Sequence, residues 1–165
     1  MSRIAVDHYL WLMHEAFEGD RHHSLLGNLG SVRPQDWYAL PDGAERTIAH
    51  IAQHAGYCKY MYENHAFGDR SYQWDEPPFA PLWPPDFVAG YEAYLRDGHE
   101  RLVRSVSALD DAALIAPSWA PWESLAAGGT PPTAREVIAK MIEHDLYHSG
   151  EINRTRALLQ RSEDA

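Results

Sequence analysis

Four stretches of this chain set apolar side chains three and four residues apart, and none shows clear alternation with period two. That pattern limits the fold more than any other feature, because it selects helices with one buried stripe over strands. In the stretch "ERTIAHIAQHAGYCKYMYENHAF", Ile48, Ile51, Ala55, Cys58 and Tyr62 share one stripe, and Thr47 is an N-cap or first-turn residue of the helix. A segment opening near Pro85-Asp86 carries Phe87, Tyr91, Tyr94, Leu95, Leu102, Val103 and Val106, and ends near "SALDD". The last runs from about Thr133 to Leu159 with Val137, Met141, His148, Ile152, Thr155 and Leu159 as its stripe, before a frayed "RSEDA" tail. The first, from Ile4 into the twenties, takes its apolar bulk from Ile4, Leu10, Trp11 and Phe17, and "EGD" at 18–20 marks a kink or a break.

Between these segments lie connections that prolines keep irregular. "RPQDWYALPDG" allows one short turn after Pro34, and "FGDRSYQWDEPPFAPLWPPD" reads as an ordered loop anchored by Trp74, Phe79 and Trp83. Trp119 and Trp122 pin a third loop, or they join an aromatic rim over a pocket for an apolar ligand. Four long helices with long aromatic loops, in 165 residues, predict a single all-α bundle domain over 1–165.

Several classes of function are disfavoured at once. The net charge is −10, which opposes both nucleic acid and anionic lipid. No apolar run approaches the ~20 residues of a membrane span. The opening "MSRIAVDHYLWLMHEAF" is interrupted by Asp7, His8, His14 and Glu15, so it does not read as a signal peptide. The lone cysteine, Cys58, permits no intrachain disulfide and fits a reducing cytoplasm.

The ten histidines carry the chemical interest. Successive helical side chains rotate by about 100°, so residues four apart share a face. His144, His148 and Glu151 fall inside the apolar stripe of the last helix. Burying two imidazoles and a carboxylate there costs free energy unless hydrogen bonds or a metal ion engage them. A further ligand must come from another helix, and the second segment offers His50 and His54. His54 sits roughly 80° from the centre of its stripe and His50 roughly 120°, which favours His54 and leaves His50 as the alternative. Glu151 can orient an imidazole, act as an acid or base, or pair with an Arg or Tyr. Cys58, one turn after His54 on the same side, reads as core, with a thiolate ligand as the alternative. His8 and His14 read as hydrogen-bonded flank residues, and His22, His23, His65 and His99 as surface or loop-packing residues.

The stretches "RTIAHIAQHAGYCKYMYENHAF" and "MIEHDLYHSGEINRTRALL" resemble the second and fourth helices of the DinB-like superfamily, which includes the YfiT type of metal-dependent protein. The resemblance covers most of the chain in order, and "HDLYHSGEI" is its most specific part. It implies a four-helix bundle with up-up-down-down topology, often a homodimer. It also implies a divalent metal, zinc or nickel, on His54, His144 and His148. Some members transfer a low-molecular-weight thiol onto an electrophile, so the resemblance implies a small-molecule substrate and a transferase of that type. Metal-dependent hydrolysis and a non-catalytic metal-binding stress protein are the alternatives.

Overall fold

A computed structural model describes residues 2–72, 86–119 and 130–161. Trp74, Phe79, Trp83, Trp122 and the tail at 162–165 lie outside the described residues. Among the described residues there are five α-helices and no strand, only an isolated antiparallel bridge between Pro117 and Thr133. They are α1 (Ile4–His14), α2 (Leu25–Leu29), α3 (Ile48–Tyr62), α4 (Phe87–Ser107) and α5 (Ala134–Arg161). This is the all-α bundle that the apolar spacing calls for.

Each boundary has a local cause. Thr47 caps α3 by accepting a hydrogen bond from the His50 N–H, and Asp86 caps α4 by accepting one from Ala89. α1 widens into one π-type turn over Glu15–Gly19, and the chain then breaks before Ser24 caps the short α2. The first segment is thus two helices. The expected turn after Pro34 spans Pro34–Asp36.

α3 lies at the centre, packed on α4 along one side and α5 along another, while α1 also meets both. α3 approaches α4 closely because residue 56 is glycine: a Cβ there would collide with the Tyr94 ring. The whole stripe of Ile48, Ile51, Ala55, Cys58 and Tyr62 is buried. α1 departs from its expected side. Ile4 is 82% exposed and Trp11 54%, while Val6, Met13, Ala16 and Phe17 make the core contact. The large side chains misled the reading, because a helix with apolar residues on nearly every side does not reveal its buried face by side-chain size.

Two buried polar contacts fix α5. The Lys59 ammonium reaches both Asp145 oxygens at 2.7 and 2.5 Å, with the side chains 1% and 4% exposed. Asn28 of α2 donates to Ser149 Oγ at 2.7 Å, and Ser149 donates to the His23 carbonyl at 3.0 Å. Asp145 and Ser149 each directly follow one of the two α5 histidines in the sequence, and their contacts hold that helix against α3 and α2.

Candidate metal centre

α3 and α5 bring three imidazoles together. His144 Nε2 lies 3.3 Å from His54 Nε2 and 3.1 Å from His148 Nε2. The His54 and His148 ring centroids are 5.0 Å apart. His50, the alternative, is exposed, and the hydrogen bond of its N–H to Thr47 serves the cap. The rotation that favoured His54 over His50 therefore describes the helix correctly.

Protons alone cannot satisfy this cluster. A ring nitrogen has one in-plane position, either an N–H or a lone pair. His144 Nε2 therefore hydrogen-bonds with only one of its two close neighbours. Its other ring nitrogen, Nδ1, is buried without a partner among the described residues. Burial pushes the His144 imidazole down to about 2, and its histidine neighbours add to that. Burial likewise lowers His148 to about 4, although the Glu151 hydrogen bond opposes it, and burial lowers His54. All three rings are neutral near pH 7, the form that ligates metal ions. An ion about 2.0–2.1 Å from each of two nitrogens in tetrahedral geometry sets them about 3.3–3.4 Å apart. The separations of His144 from His54 and from His148 are close to that edge, so each of these two pairs suits a shared divalent ion.

The orientation of His148 is fixed from behind. Its Nδ1 lies 2.9 Å from Glu151 Oε2, and Arg46 donates to both Glu151 oxygens at 2.7–3.2 Å. With Arg46 donating to its oxygens, Glu151 is the acceptor toward His148, which places the His148 proton on Nδ1 and leaves Nε2 with its lone pair toward His144. Glu151 thus both orients an imidazole and pairs with an arginine. Nothing in the local sequence pointed to Arg46, which reaches its carboxylate across 105 residues. It arrives because the 30–47 connection is docked: Trp37 is buried against Tyr91 at 4.6 Å between ring centroids, and its carbonyl accepts the Ala49 N–H at 2.9 Å.

Cys58 is buried as expected, but its neighbourhood is not purely apolar. Its Sγ lies 3.7 Å from His54 Nε2, and one ligand atom from each of His54, Cys58 and His144 lies within 4.8 Å of the others. Burial pushes the thiol up to about 12. His144 lines an open cleft of about 330 Å³ with Lys140, Glu143 and Tyr147, so the cluster has a route to solvent.

The remaining histidines stay apart from the cluster. His8 is exposed and stacks on Trp11, His14 lies 3.6 Å from Glu18, and His65 stacks on Trp119. His99 differs from its expected surface position. It is 6% exposed, its ring stacked 3.9 Å from that of Phe17. No helix among the described residues is long and apolar enough to cross a membrane.

No curated protein and no solved structure matches the chain significantly. A family model, that of the DinB superfamily, matches residues 17–152. That span holds all three converging imidazoles together with Arg46, Cys58 and Glu151. The helical bundle and the match over most of its length lead to one assignment: the chain belongs to the DinB superfamily.

Proposed function

We propose that this protein is a metal-dependent enzyme that holds one divalent ion, zinc or nickel, on His54, His144 and His148 and transfers a low-molecular-weight thiol to an electrophile. The observation that carries the reading is the His144 Nε2 atom, held 3.1–3.3 Å from two other imidazole nitrogens with which it cannot bond simultaneously. An ion bound there supplies Lewis acidity, lowering the pKa of a thiol or water beside it. The chain's own groups support this. Arg46 and Glu151 hold the His148 tautomer, and the cleft at His144 admits a small molecule. Both Glu151 oxygens are engaged, so its part is to orient the ring. Cys58 is not the nucleophile, because its buried thiol is held at about 12.

Thiol transfer is taken from the behaviour of some members of the superfamily, with metal-dependent hydrolysis as the alternative. The same source supports a homodimer, and the lone cysteine a reducing cytoplasm. The test pairs a panel of cellular thiols with a model electrophile, with and without added zinc or nickel. Transfer that needs metal, is lost in His144→Ala and survives in Cys58→Ala supports the reading. No metal-dependent rate with any thiol ends it in favour of hydrolysis.

A second reading rests on Cys58 itself. Its thiol lies beside His54 and His144 as a further ligand, and a fourth ligand that closed the shell would make the site structural. Metal content that falls in Cys58→Ala, with no thiol transfer in the parent, would favour it.

A further inference from the structure

A second cavity lies directly behind the imidazole cluster. It holds about 220 Å³ between the 43–46 connection and α5. Glu151, whose carboxylate bonds to His148, forms part of its wall, and Tyr147 lines both this cavity and the cleft at His144. A ligand seated here can therefore extend past Tyr147 toward the cluster.

Four charged side chains line the cavity, and they divide into two kinds. Arg46 and Glu151 neutralise each other through a two-pronged contact and offer no net charge. Arg154 and Glu45 make no hydrogen bond or ion pair among the described residues, either with each other or elsewhere. Arg154 follows Glu151 by three, so it stands one turn along the same face of α5. The Arg21 and Arg135 side chains also make no hydrogen bond or ion pair among the described residues, but they line none of the cavities described. A cavity with one free cation and one free anion is complementary to a ligand carrying both charges. A guanidinium fork suits a carboxylate, and a carboxylate suits an ammonium.

We propose that this cavity binds the zwitterionic head of an amino-acid-type ligand, its carboxylate on Arg154 and its ammonium on Glu45. The inference deepens the proposed function, on which it rests, by naming the substrate class as a molecule with an amino-acid head. The reactive end of that molecule points past Tyr147 toward His144.

The experiment titrates the full chain with S-methyl-L-cysteine, which has both head charges and no free thiol, and follows binding by calorimetry and NMR. The N-acetyl derivative lacks the ammonium, and the amide derivative lacks the carboxylate. Saturable binding of the parent probe is expected, weakened about tenfold or more for each derivative, a difference of about 1.4 kcal/mol. Arg154→Gln is expected to lose the preference for the carboxylate, and Glu45→Gln the preference for the ammonium. Both residues are exposed, so neither change threatens the fold. No saturable binding, equal binding of all three probes, or unchanged selectivity in Arg154→Gln would overturn the proposal. Metal content is measured on the same samples. Metal bound without the head-group preference refutes this inference alone, and absence of metal refutes the proposed function separately.

Discussion

Replacing Asp145 with alanine would strand the Lys59 ammonium in the bundle interior. The two groups meet at 2.7 and 2.5 Å with 1% and 4% of their side chains exposed. The Phe17 ring, 4.8 Å from the ammonium, is no substitute for a counter-ion. Removing one member of such a buried pair costs roughly 3–5 kcal/mol, because the survivor keeps its desolvation penalty and loses its partner. For a chain of this size each kcal/mol shifts the melting temperature by about 2–4 °C, so a fall of roughly 6–20 °C is expected. The paired replacement Lys59→Met with Asp145→Leu removes both charges at similar volume. It should leave stability near or above the parent's, since replacing a whole buried pair is often neutral or favourable. Urea titration followed by circular dichroism measures both variants. A single-variant loss below about 1 kcal/mol, or a double variant as unstable as the single, would refute the reasoning.

Three other perturbations test separate parts of the account. Arg46→Gln should release Glu151, let the His148 ring turn and weaken metal binding about 10–100-fold, as read by competition with a chromogenic chelator. Gly56→Ala should cost about 1–3 kcal/mol in urea titration, because the added methyl meets the Tyr94 ring. His99 is held down to about 2 by burial, whereas it titrates near 6.5 when unfolded. Below pH 6.5 the unfolded chain takes up a proton that the native chain refuses, so stability falls with falling pH by up to about 1.4 kcal/mol per unit for this group. His99→Phe keeps a ring against Phe17 and should flatten the acid limb between pH 6.5 and about 4, and an unchanged limb would contradict the assignment.

The parts of this molecule that follow a local rule were legible in its sequence. The stripes of α3, α4 and α5 follow helical spacing, the Thr47 cap is a local hydrogen bond, and the His144–His148 pair is one turn of helix. The choice of His54 over His50 followed from rotation about one helix axis. What escaped depends on contacts distant in the chain. Arg46 meets Glu151 only because the long connection folds back over α5, and Lys59 meets Asp145 across 86 residues. A lysine and an aspartate beside apolar stripes look like any solvated pair until two helices are packed. His99 was misplaced for the same reason: its burial is created by Phe17 of the turn after α1. Trp11 erred in the other direction, since aromatic bulk does not say which face of a helix is covered.

The central claim is that His54, His144 and His148 hold one divalent ion, and metal analysis tests it directly. Protein prepared without an affinity tag is assayed by mass spectrometry for zinc and nickel, beside the His54→Ala and His148→Ala variants. The account predicts about one ion per chain in the parent and its loss in both variants. It also predicts a melting temperature that chelator lowers only in the parent, because an ion at ~100 times its Kd adds about 2.7 kcal/mol to the native state. No stoichiometric metal in the parent, or equal metal content and chelator response in all three proteins, would contradict it.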